Sequence, residues 1–324
     1  MKKIILALGL LLVLQISAKA QQDAQYTQYM FNSLVINPAY AGYKEALNVG
    51  LSARNQWVGF AGTPKTQSFL IDNVFLESKN VGLGLSVVND KIGDSRQTSA
   101  YANYAYRLPV GGEDARLAFG LAIGVVQSSI DPSDIRDQGD VTLMGKRNYF
   151  APDGKLGVFY SNSKFYAGFS TTNLISNLRK YDPAGANFFA KQGTHFFLTA
   201  GYLMDLNESL KFKPSLMIRE DTKGPTNIDI NTFFLLNEAV WLGASYRSGV
   251  NIGNKSNLYG GTFRKNSVVG AVEVYVSKIY RIGYSYDYAL SQLNQYSNGT
   301  HEVSLGLILN SKKKSSSMPT PRYF

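Results

Sequence analysis

The chain offers few residues for chemistry. It has two histidines, His195 and His301, and no cysteine. A zinc or redox-metal site needs such side chains with carboxylates or thiolates at ligand spacing, and neither histidine has a carboxylate or cysteine at that spacing; both read as polar lumen or interface residues of strands. Asp131, Asp134, Asp137 and Asp140 recur every three residues. A calcium loop spaces its acids differently and needs a glycine at a fixed place, so these four read as a solvated loop. Gly82-Leu83-Gly84 has the look of a dinucleotide turn, but it lies within a strand-like run with no helix after it. Nucleophile elbow, paired catalytic carboxylates and phosphate loop are all missing. No catalytic residue, metal ligand or cofactor is assigned, and the chain reads as a non-enzyme.

The elements around these residues begin with an export signal. Lys2-Lys3 supply the positive start, residues 4–16 the apolar stretch, and Ala18-Lys19-Ala20 the small-residue cleavage site before Gln21. The apolar stretch is shorter than the roughly 20 residues of a spanning helix, and no cysteine follows it for lipidation. With no cysteine at all, an exported chain must hold together by strand pairing and packing. Without the signal's three lysines, 30 basic residues face 23 acidic ones, a net charge of +7. The excess is spread out, which argues against a nucleic-acid partner. Lys312-Lys313-Lys314 is the one run, either a solvated tail or a contact for anionic lipid headgroups.

After the signal no apolar run reaches 18 residues, while 21 tyrosines, 18 phenylalanines and 30 glycines favour strands. Fourteen alternating runs follow one another: 46–56, 66–75, 81–89, 97–108, 115–128, 154–161, 164–173, 193–205, 210–219, 226–237, 240–248, 267–276, 279–289 and 300–310. In 115–128, Leu117, Phe119, Leu121, Ile123 and Val125 oppose Ala118, Gly120, Ala122 and Gly124. In 240–248, Leu242 and Tyr246 oppose Trp241 and Arg247; in 279–289, Ile282 and Tyr284 oppose Arg281 and Asp287; in 300–310, Val303 and Leu305 oppose Glu302. Charges keep to one face, as they must if the other meets lipid. Every second link is six residues or fewer, whereas 129–153, 174–192, 249–267 and 290–299 are long. A soluble sandwich has no reason to sort its links so; a bacterial barrel has short periplasmic turns and long outer loops. The fold class is therefore all-β, a fourteen-stranded antiparallel outer-membrane β-barrel with an N-terminal hatch-like segment. Pro214 within a run predicts a bulge or an early strand start. The pairs Phe196-Phe197 and Phe233-Phe234 with Leu235-Leu236, apolar on both faces, predict a partly packed lumen.

The chain divides into a signal at 1–20, an N-terminal segment at 21–45, the barrel at 46–310 and a tail at 311–324. The segment at 21–45 is rich in aromatic and amide residues, follows neither period, and carries an Asn-Pro turn signal. Tyr26, Tyr29, Phe31, Asn37, Pro38 and Tyr40 should fold into the lumen or across its mouth, with both mature ends emerging on the periplasmic side. Arg322, Tyr323 and Phe324 read as a docking tail or an assembly signal.

The opening Gln25-Tyr-Thr-Gln-Tyr-Met-Phe-Asn32, with Ile36-Asn-Pro-Ala-Tyr-Ala-Gly42, closely resembles the start of the PorP/SprF membrane proteins of type IX secretion and gliding motility in Bacteroidetes. Further likenesses span the mature chain: Trp57-Val-Gly-Phe-Ala-Gly-Thr-Pro64, Asp90-Lys-Ile-Gly93, Trp241-Leu-Gly-Ala-Ser-Tyr-Arg247, Ile282-Gly-Tyr-Ser-Tyr-Asp287, Gly299-Thr-His-Glu302 and Pro321-Arg-Tyr-Phe324. Thr63 and Thr300 depart from the alanine and serine usual there. The resemblance implies an outer-membrane barrel that works with secretion-apparatus subunits. It implies, further, that the barrel engages the C-terminal domain of a large secreted adhesin and supports its export or anchoring. Asn37-Pro38-Ala39 also resembles the hatch turn of outer-membrane fatty-acid channels, so a passive channel for hydrophobic small molecules is the alternative.

Overall fold

The computed structural model describes residues 26–75, 79–112, 114–131, 147–175, 193–222, 224–250 and 263–309. The signal at 1–20, the lysine run at 312–314, the tail residues Arg322, Tyr323 and Phe324, and Asp134, Asp137 and Asp140 lie outside them, as do the central parts of the three longest links.

Period-2 alternation dictates strands. The first eight are β1 (Leu47–Asn55), β2 (Lys65–Phe75), β3 (Val81–Ile92), β4 (Ser95–Pro109), β5 (Arg116–Ile130), β6 (Arg147–Ser161), β7 (Phe165–Thr172) and β8 (His195–Tyr202). They are followed by β9 (Met204–Asn207), β10 (Leu210–Asp221), β11 (Thr226–Leu236), β12 (Val240–Val250), β13 (Phe263–Tyr275), β14 (Tyr280–Ala289) and β15 (Thr300–Leu309). β8 and β9 pair in succession along β10, so together they form one wall strand and the barrel has fourteen. All pairings are antiparallel between sequence neighbours, and β1 pairs β15 from Leu47↔Leu309 to Asn55↔His301, closing the sheet. Closure leaves no unpaired edge, which a bilayer does not tolerate.

The break between β8 and β9 has a local cause. Ser215 pairs Gly201 and Phe212 pairs Met204, while Pro214 and Lys213 between them have no partner there. Proline has no N–H to give to the ladder, and the neighbouring strand opens opposite it at Leu203. The expected bulge at Pro214 takes this form, with the register shift falling at Leu210/Lys211. β6 and β13 start at Arg147 and Phe263, earlier than their alternation alone suggests.

Outward faces are apolar. On β5, Phe119, Leu121, Ile123 and Val125 are exposed, while Ala118 and Ala122 are buried. Leu242 is 54% exposed beside Trp241 at 1%. Short turns join β2–β3, β4–β5, β6–β7, β9–β10, β11–β12 and β13–β14 at one end, here the turn end; the long links gather at the other, the loop end.

Candidate functional site

Among the described residues, buried polar side chains gather in the lumen, and it is occupied by the chain's own opening segment. Residues 27–31 and 34–43 are buried, folded as three single 3-10 turns, Tyr29–Phe31, Ser33–Val35 and Pro38–Tyr40. The Asn-Pro signal builds the third turn: the Asn37 side chain accepts from the Ala39 N–H at 2.9 Å, and Pro38 occupies the position whose N–H would go unused.

Ion pairs hold the segment at two levels. Near the loop end, Arg54 of β1 pairs with Asp287 of β14 at 2.8 Å and Glu302 of β15 at 3.2 Å. Thr27 closes this cluster: its N–H donates to Glu302 at 2.8 Å, its hydroxyl donates to Asp287 at 2.8 Å, and Arg54 Nη1 donates to the Thr27 hydroxyl. Arg247 of β12 grips Asp229 of β11 through Nε and Nη2 at 3.0 and 2.9 Å and reaches the Tyr26 carbonyl at 3.4 Å. At the turn end, Arg281 bonds Glu273 at 3.3 Å and the Phe31 carbonyl at 3.1 Å, while Asp72 accepts from the Gly42 N–H at 2.8 Å. Charges taken out of water are tolerable only when paired and fully hydrogen-bonded; here backbone groups of the segment supply part of the satisfaction.

Between these levels Lys155 donates to the Val35 carbonyl at 3.0 Å, Ser170 to the Ile36 carbonyl at 2.7 Å, and Asn37 to the Val158 carbonyl at 3.1 Å. Apolar packing fills the rest. Phe31 meets Phe233 edge-on at 5.8 Å, and Tyr40 and Tyr43 pack on Phe159, each at 5.5 Å. Tyr29 accepts a hydrogen bond from Asn231 at 2.7 Å.

Wall glycines make the seat. A Cβ on Gly82 would strike the Ala41 carbonyl, one on Gly120 the Ala39 backbone, and one on Gly157 the Asn37 side chain. Gly82-Leu83-Gly84 is thus neither a phosphate turn nor generic strand glycine; it is where the segment's backbone rests on β3. Glu45 turns the segment into β1 with a left-handed φ of 52°, held by Arg107 and Lys79, each at 2.9 Å.

The structure brings Tyr29, Phe31, Asn37, Pro38 and Tyr40 together inside the barrel, with Tyr26 half-buried at its edge. Thr27 and Gln28 bond Glu302 and Asp287 near the loop end, and Gly42 bonds Asp72 at the turn end, so the segment runs along the lumen. His195 is buried at the start of β8; His301 faces outward, its ring nitrogen 2.8 Å from the Tyr284 hydroxyl. The paired luminal charges were missed as partners, although their confinement to one strand face was the signal that could have found them. Among the described residues no cluster of acids and histidines could hold a metal. A cavity bounded by Tyr26, Tyr29, Phe197, Met217, Asp229 and Arg247 leaves about 10 Å³, room for a single water.

A family model described as Type IX secretion system membrane protein PorP/SprF matches residues 18–307. No curated protein matches the chain. Among solved structures, the CymD monoaromatic hydrocarbon channel is similar at TM-score 0.55 and 11% identity, covering 88% of this chain and 92% of that one. The Pseudomonas putida toluene transporter TodX gives 0.47 at 11% identity, with 90% and 96% covered. Acinetobacter baumannii Omp33 gives 0.43 at 9% identity, with 82% and 99% covered. At such identities the CymD likeness speaks for the fold alone.

Proposed function

Because the chain belongs to the PorP/SprF family of type IX secretion system membrane proteins, we propose that this outer-membrane barrel works by binding rather than by conduction. It takes up the C-terminal domain of a large exported surface adhesin, alongside subunits of the secretion apparatus, and supports that protein's secretion or anchoring. The observation that carries this reading is the filled lumen: the segment from Thr27 to Tyr43 is bonded to most of the wall, and the space left beside Tyr26 holds about one water. A barrel stoppered by ion pairs at two levels has little to offer a diffusing solute and keeps its loop end for a partner. The segment at 21–45 acts as the hatch, and the signal at 1–20 is cleaved on export towards the outer membrane.

The loops 129–153, 174–192 and 249–267 supply the docking surface. Exchanging them for those of a paralogue should redirect which exported domain is retained at the surface; unchanged partner choice sinks the proposal. A second reading, a passive channel for hydrophobic small molecules, draws on the fold shared with CymD. It requires the hatch to yield a continuous apolar path, and bound hydrocarbon or fatty acid in the purified barrel would favour it.

A further inference from the structure

The outer wall carries a charge pattern that neither the lumen nor the loops use. At the loop-end rim, Lys65 of β2 stands directly opposite Lys91 of β3, and Lys91 directly opposite Arg96 of β4. All three are exposed and share the outward face with the apolar belt. Adjacent strands are about 4.8 Å apart, so three cations sit side by side within roughly 10 Å. Like charges directly opposite each other destabilise a sheet. Among the described residues none of the three side chains has an ion pair or hydrogen bond, and Asp72 and Asp90 on these strands face the lumen. Asp94 and Asp131 lie beyond the rim, joined to each other through their backbones.

The rows beneath are equally ordered. One step towards the bilayer come Gln67, Asn89 and Thr98 in register, with the Thr98 hydroxyl donating to Asn89 at 3.1 Å. The next rows are Phe69, Val87 and Ala100, then Ile71, Leu85 and Ala102. Cations, then amides and a hydroxyl, then an apolar surface: this is the complement of a molecule with a phosphorylated head, a polar sugar or amide shoulder, and acyl chains. The row continues through Asn55 to His301 on β1 and β15, which adds further polar groups at the same height.

We propose that Lys65, Lys91 and Arg96 bind the phosphorylated headgroup of a lipid in the leaflet at the loop end, its acyl chains lying on the belt below. Charge complementarity fixes the head, because phosphate oxygens take both lysine ammonium and guanidinium donors. The order of the rows fixes the orientation. A bound headgroup removes the mutual repulsion of the three cations and pins one side of the barrel to its leaflet.

Native mass spectrometry of the detergent-solubilised full chain tests this with three probes: a bis-phosphorylated acyl-disaccharide lipid, its dephosphorylated form, and inorganic phosphate. The wild type should retain the bis-phosphorylated lipid, and Lys65→Gln with Lys91→Gln and Arg96→Gln should weaken retention about a hundredfold. Lys164→Gln with Lys278→Gln at the opposite rim should not. Equal retention of the dephosphorylated lipid by the wild type overturns the proposal, as does unchanged retention by the triple variant. Displacement of the lipid by millimolar inorganic phosphate assigns the row to free phosphate and overturns the lipid.

Discussion

Arg54 shows how a single luminal residue ties distant parts of the chain together. Its guanidinium joins Asp287 and Glu302, 233 and 248 residues away, and both acids in turn hold Thr27. Removing a buried partner leaves the other charges uncompensated, at a cost of about 3–5 kcal/mol. Arg54→Ala should accordingly lower the unfolding midpoint of the barrel, read as loss of its fast-migrating unheated form on a gel. An unchanged midpoint would mean that water already reaches Asp287 and Glu302. On the outer face the sign of the chemistry reverses. Leu242 is exposed to lipid, and Leu242→Arg should cost about 2–4 kcal/mol of membrane stability, measured by urea titration in vesicles. A neutral result would place Leu242 outside the hydrocarbon band.

Among elements, the opening segment and the strands it rests on are built for each other. Gly82 and Gly120 let the Ala41 and Ala39 backbones touch the wall, whereas a Cβ on Gly270 meets nothing within 4 Å. Gly82→Val with Gly120→Val should unseat the segment, so that protease cuts within 26–46 and small solutes leak into proteoliposomes; Gly270→Val should do neither. Equal leakage from both variants would remove the seat from the account. Deleting 21–42 outright should raise leakage in the same assay. The strands themselves were readable from period-2 alternation because each wall residue meets either lipid or lumen, a constraint imposed residue by residue. What alternation cannot carry is who meets whom across the lumen. Arg281 reaching the Phe31 carbonyl, or Asn37 resting on Gly157, depends on register and closure, which are set by all fourteen strands together. The Asn37-Pro38 turn was visible as a turn, and its place against β5 and β6 was not. Strand ends are legible only to the extent that alternation persists, so β6, which runs from Arg147 through Pro152 and Asp153, begins earlier than its alternating run at 154–161.

At the scale of the whole molecule, a closed fourteen-strand wall, an apolar outer belt and a lumen filled by residues 27–43 make a barrel whose free surfaces are its two ends. Membership of a secretion-system family and a stoppered interior point the same way, towards a partner held at the loop end. The most direct measurement is affinity purification of the tagged full chain from native outer membranes, with mass spectrometry of whatever comes with it. The account predicts the C-terminal domain of a large exported protein together with secretion-apparatus subunits. A lone barrel carrying only fatty acid or hydrocarbon would contradict it and make the protein a channel.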